Sequence, residues 1–177
     1  LAVNKNLISI SIRKRIAPSK KFKLQLINYK RYDPEFKNLK YKFILEKMKN
    51  INLKSSDLAL FFNNLIYETG TANLIFVKDN KIFSPKKNFY KGITLKFIDK
   101  KFKVNYSDIN LENLKYYSEI ILVGSGKGVV SVNNVQGMKW RRKSLKYYKI
   151  LKNYYEKAVT KCPRYYSWSI NLTILQI

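Results

Sequence analysis

Two segments restrict this chain more than any other feature. In NLIFVKDNKIFS, residues 73–84, two apolar runs are separated by Asp79-Asn80 alone. Aspartate and asparagine tolerate the backbone angles of a two-residue turn, so the segment is predicted to be a β-hairpin. IILVGSGKGVVSV, residues 120–132, repeats the arrangement as a strand, a glycine turn and a strand. A chain that accommodates both is organised around a sheet.

The remaining patterns add helices and further strands. LISISIRKR and KLQLINYKRY alternate apolar and polar residues with period two and read as strands, and LALFFNN gives a third strand signal. PEFKNLKYKFILEKMKNINL reads as a helix with Pro34 near its start and Leu39, Phe43, Ile44 and Met48 on one face. GITLKFIDKKF reads as a glycine turn opening a helix, and NLENLKYYSE as a short helix. SLKYYKILKNYYEKAV is an amphipathic helix whose stripe of Leu145, Tyr148, Leu151 and Tyr155 is best explained as core packing. There are no repeats and no linker rich in proline, glycine or serine. With 177 residues, 46% of them hydrophobic, residues 1–177 are expected to form a single domain of mixed α and β structure.

Composition removes several function classes. The chain has no histidine and a single cysteine, Cys162, which excludes imidazole bases and an internal disulfide framework and leaves no metal site to expect. The formal charge of +25 points toward nucleic acid as a partner. However, the basic residues are 30 lysines against only 6 arginines, spread from end to end beside 18 asparagines and many isoleucines, and an A/T-rich coding sequence enriches Lys, Asn and Ile together. Nucleic-acid binding is therefore the weaker reading. No apolar run reaches the roughly 20 residues of a membrane span, and LAVNKNLISISI carries a charge where a signal peptide needs an apolar stretch. The chain reads as cytoplasmic, with no membrane partner. It enters an apparent strand at Leu1 without an initiator methionine, so about 100 further residues, one small domain, are expected upstream.

One carboxylate stands apart. Glu68 directly precedes TGTANLIF in a lysine-rich chain, and on physics alone it reads as a solvated strand-end group paired with a lysine. The motifs around it reverse that reading. KNLKY, YETGTANLIFVKDNKIFSP, KGIT and EIILVGSGKGVVSV, in this order between about Ile8 and Val132, resemble the C-terminal half of the class IV aminotransferase family. These are the fold-type IV pyridoxal-phosphate enzymes: branched-chain aminotransferase, D-amino-acid aminotransferase and aminodeoxychorismate lyase.

The resemblance implies an α/β fold, with a mixed, strongly curved sheet flanked by helices as in the family's larger domain. It also implies pyridoxal 5′-phosphate as cofactor, an amino-acid-like small-molecule substrate, a homodimer in the full-length protein, and an N-terminal domain that this chain lacks. Glu68 would hold the proton on the cofactor's ring nitrogen, because a carboxylate beside that nitrogen favours its cationic form. Lys37 would be the covalent lysine, with Lys40 close by as the other choice. Tyr41 would hydrogen-bond the cofactor's phenolic oxygen. Gly92, Ile93 and Thr94 would hold the phosphate through backbone amides and a hydroxyl at a helix start. Ser125 and Gly126 would provide a second phosphate and substrate-carboxylate contact. Leu95 departs from the arginine that commonly follows GIT. GSGKGVVSV looks more like the lyase, which releases pyruvate and 4-aminobenzoate for folate synthesis, than like branched-chain aminotransferase, where GTA is usual. The transaminases remain the alternative within the family, and a non-catalytic basic nucleic-acid-binding protein the alternative outside it. Convergence of Lys37, Glu68, Thr94 and Ser125 on one pocket would favour the enzyme.

Overall fold

The computed structural model describes residues 17–37 and 40–162, together with the backbone of two short strands, β1 (Ala2–Asn4) and β2 (Leu7–Ser9), which pair antiparallel. After them the chain runs through β3 (Phe22–Asn28), α1 (Lys42–Lys49), β4 (Ser56–Phe62), β5 (Leu65–Thr69), β6 (Asn73–Lys78) and β7 (Lys81–Pro85). Helix α2 (Ile93–Phe102), β8 (Asn105–Ser107), β9 (Ile109–Asn110), a 3-10 turn (Leu111–Tyr116), β10 (Glu119–Gly124), β11 (Gly128–Gln136) and α3 (Lys146–Lys161) complete it. Among the described residues, nine strands form one mixed sheet in the order β8-β7-β6-β10-β11-β3-β4-β5-β9. The β11–β3, β3–β4 and β7–β8 pairs are parallel and the others antiparallel.

The central strands bury both faces, which explains why they read as apolar runs without polar alternation. In β6, Leu74 and Phe76 enter one core while Ile75 and Val77 enter another; in β10, Ile120 and Leu122 alternate in the same way with Ile121 and Val123. The second core is closed by Leu95 and Ile98 of α2 and by Leu151 of α3. Strand β4 divides similarly: Ala59 joins the first core, while Leu58 and Leu60 pack with Ile44 of α1 in a smaller cluster.

Local turn chemistry behaves as the sequence suggests. Asp79 and Asn80 sit at φ 48° and 54° and join β6 to β7 with Lys78 opposite Lys81. The glycine turn joins β10 to β11, with Gly124 opposite Gly128. Helix α2 begins at Ile93 behind Gly92, and in α3 Leu151 is fully buried with Tyr148 and Tyr155 packed beside it. No helix among the described residues is long and apolar enough to cross a membrane.

Three expectations need correction. The helix over residues 34–53 is confined to Lys42–Lys49. Upstream, Asp33 adopts φ 43°, Phe36 N–H donates to the Asp33 carbonyl at 3.1 Å, and Arg31 takes the carbonyls of Pro34 and Phe36 at 2.5 and 3.5 Å. Those carbonyls are therefore directed to a side chain rather than to helical N–H groups. Within α1, Ile44 is buried, whereas Phe43 remains 37% exposed and stacks on Tyr29 at 4.5 Å, so the two do not share one buried face. Leu39 lies outside the described residues, as does most of the strand expected over LISISIRKR. The short helix at 110–119 is a single 3-10 segment, and Glu119 already belongs to β10.

Candidate functional site

Glu68 lies in β5, opposite Leu60 of β4, and is 5% exposed. A carboxylate that deep needs partners. Arg31, directly beyond the end of β3 and 4% exposed, donates from Nε to Glu68 Oε1 at 2.5 Å, and the Tyr90 N–H donates to Oε2 at 3.3 Å. Burial raises the Glu68 pKa above its ordinary value; the hydrogen bond and charge of Arg31 and the Tyr90 amide oppose that rise without cancelling it. Arg31 also reaches the Pro34 and Phe36 carbonyls, so one guanidinium links the carboxylate to the backbone immediately before Lys37. Its cationic centre lies 5.1 Å from the Tyr41 ring centroid. Burial, together with the Glu68 charge, raises the Tyr41 pKa against the opposing effect of Arg31, so Tyr41 is a neutral phenol at neutral pH.

Asn73, at the start of β6, shapes the approach to α2. Its Nδ2 donates to the Tyr90 carbonyl at 2.6 Å, and its Oδ1 accepts the Gly92 N–H at 2.9 Å. A Cβ on residue 92 would stand 2.9 Å from that Oδ1, so a larger residue there would have to displace the Asn73 amide. Helix α2 then presents the Ile93 and Thr94 amides in its first turn, where N–H groups have no intrahelical acceptor and the helix dipole favours an anion. Thr94 is buried and Ile93 is exposed; Leu95 points into the core beneath the helix.

These groups meet around a cavity of about 460 Å³ whose lining includes Lys37, Tyr41, Glu68, Gly92, Ile93, Thr94 and Ser125. Gly126 sits in the same turn as Ser125, is exposed, and is not among the lining residues. Lys37 is exposed, so the described residues do not bury it as its expected role requires. Lys40 does not line the cavity; its ammonium lies 3.8 Å from the Tyr32 ring centroid. A larger groove of about 950 Å³ runs between α3 and β11, and none of the residues expected to form the site lines it.

The class IV amino-transferase family matches residues 5–135, three quarters of the sequence. The chain belongs to that family. No curated protein matches it. Among solved structures, this class IV aminotransferase-family chain is similar to the branched-chain aminotransferase of Thermoproteus uzoniensis with norvaline (TM-score 0.69, 13% identity, 82% of this chain and 54% of that one). It is also similar to an aminotransferase from Brucella abortus bound to the cofactor PLP (TM-score 0.64, 19% identity, 84% and 58%). A third is a candidate 4-amino-4-deoxychorismate lyase from Legionella pneumophila (TM-score 0.61, 20% identity, 83% and 59%). At these identities the likeness establishes the fold, and the chain spans little more than half the length of the structures it resembles.

For the class IV aminotransferase chain, sequence reasoning passed over Arg31, Asn73 and Asp57. Asn73 had a local signal, since asparagine is disfavoured in a strand yet opens the apolar run of β6. Arg31 and Asp57 had none, because each acts through partners distant in sequence.

Proposed function

We propose that this chain is the cofactor-binding part of a pyridoxal-phosphate-dependent enzyme acting on an amino-acid-like substrate. The observation that supports this most is that Lys37, Tyr41, Glu68, Thr94 and Ser125 line one cavity, although they come from separate stretches of chain. Its size suits a small ligand, and its donor set suits this cofactor: an amine, a phenol, a buried carboxylate, and helix-start amides with hydroxyls for a phosphate. Each Glu68 oxygen keeps an acceptor site beyond the one already used, so the carboxylate can serve Arg31, Tyr90 and a ring N–H together.

Pyridoxal 5′-phosphate, when bound, supplies an electron sink for a carbanion at the substrate's Cα. Lys37 would be the residue that holds it, and its Nζ would carry the proton of the substrate's Cα. Glu68 would keep the proton on the ring nitrogen, Tyr41 would donate to the phenolic oxygen, and Thr94 and Ser125 would anchor the phosphate with the Ile93 and Thr94 amides. The lyase reaction is the preferred finer reading, on the form of GSGKGVVSV, and it would yield pyruvate and 4-aminobenzoate; transamination of branched-chain or D-amino acids is the other outcome of a product assay on the full-length protein.

The cofactor reading is tested by titrating the protein with pyridoxal 5′-phosphate. A visible absorption band of lysine-linked cofactor is expected in the wild type and in Lys40→Ala and is lost in Lys37→Ala. A wild type that never binds cofactor would replace the enzyme with a basic binding protein, and a band retained in Lys37→Ala would move the attachment elsewhere.

A further inference from the structure

Asp57 in β4 is fully buried and accepts four hydrogen bonds. Oδ1 takes the Leu58 N–H at 2.8 Å; Oδ2 takes the hydroxyls of Thr69, at 3.1 Å, and Thr71, and the Lys127 ammonium at 2.9 Å. The Lys127 side chain is only 9% exposed and its Nζ lies 4.9 Å from the Phe22 ring centroid. Asp57 thus holds two turns from beneath. One is Thr69–Ala72, which lines the cavity; the other is Gly124–Gly128, which carries Ser125 into it. The turns also lie close together, since a Cβ on Gly124 would stand 3.3 Å from the Ala72 Cβ.

A buried ion pair is weak as a stabilising device, because desolvation offsets most of its attraction. Its effect here is geometric. The second turn contains Gly124, Gly126 and Gly128, and glycines give a free turn more conformations to lose than any other residue. Lys127 is the residue of that turn whose side chain is buried and paired with a charge in the body of the sheet. It does not line the cavity, so it acts on a ligand only through the backbone it fixes.

We propose that Asp57 and Lys127 are positioning residues that preorganise the Ser125 turn to receive a phosphate. This inference rests on the cofactor reading above. Ordering a glycine-rich turn before binding removes that ordering from the binding equilibrium, so the pair contributes to affinity for the phosphate and little to affinity for the rest of the ligand.

The test compares pyridoxal 5′-phosphate with pyridoxal, which has the same ring and aldehyde but no phosphate, by equilibrium titration of the full chain. The wild type is expected to prefer the phosphorylated ligand. In Lys127→Met and Asp57→Asn that preference falls by about tenfold or more, while pyridoxal affinity stays nearly unchanged; Lys127→Arg, which keeps the charge, retains it. If Lys127→Met fails to fold because Asp57 is left unpaired, the Asp57→Asn/Lys127→Met double variant removes both charges and is read in the same way. An unchanged preference, or equal weakening of both ligands, overturns the proposal. A wild type that binds neither ligand, or binds both equally, overturns the cofactor reading instead.

Discussion

At the scale of single residues, Arg31 sets the electrostatics of the site. Glu68 titrates above its ordinary value of 4.5 because burial penalises its charge, and Arg31 is the main opposing influence. A raised value means that the folded state holds the proton more tightly than the unfolded chain. The stability this group contributes is therefore complete below 4.5 and is lost as pH rises through the folded value. Replacing the guanidinium in Arg31→Met removes the opposition, so the folded value climbs further and the loss is larger. Thermal unfolding followed from acid to neutral pH should fall more in the variant than in the wild type, and parallel profiles would contradict the pairing. Under the proposed function, activity of the full-length protein should move in the same direction, its acid limb shifting to higher pH because ionised Glu68 becomes scarcer. Residue-level reasoning misread the carboxylate as solvated and paired with a lysine, whereas it is buried on Arg31; only the resemblance of TGTANLIF singled Glu68 out. Its partner was not legible, because Arg31 lies 37 positions away and one arginine among 36 basic residues carries no local mark.

At the scale of elements, what was legible is what short-range chemistry determines. The Asp79-Asn80 hairpin, the glycine turn between β10 and β11, and helices α2 and α3 all follow from turn residues and apolar spacing over short stretches of chain. Strands β5, β8 and β9 did not stand out, being short and defined by their neighbours in the sheet. The overextended helix before α1 failed for a related reason: Arg31 captures backbone carbonyls that helical periodicity would assign to N–H groups. Long-range contact also fixes α3. Glu119, fully buried at the start of β10, accepts the Ser144 hydroxyl and the Tyr147 N–H on Oε1, both at 2.9 Å, and the Tyr148 N–H on Oε2 at 2.8 Å. A carboxylate on unpaired amides of a first turn also complements the helix dipole. Glu119→Gln should lower stability by about 2 kcal/mol, the upper range for a charge at a helix terminus, as read by chemical denaturation. A variant as stable as the wild type would mean that α3 is held by its apolar stripe alone.

At the scale of the whole molecule, the sheet order brings distant segments to one place. The turn before α1 follows β3, Glu68 lies near the end of β5, Thr94 is in the first turn of α2 and Ser125 joins β10 to β11, yet their side chains share a single cavity. That convergence, rather than the charge of +25, is what supports the proposed cofactor enzyme over a basic binding protein. The most direct test is to mix the full chain with pyridoxal 5′-phosphate, reduce it with borohydride, digest it and locate the phosphopyridoxyl group by mass spectrometry. Modification is predicted at Lys37 in preference to every other lysine of the chain, abolished by excess inorganic phosphate competing at the Thr94 and Ser125 contacts. Labelling at Lys40, or labelling spread over the surface lysines with no protection by phosphate, would contradict it.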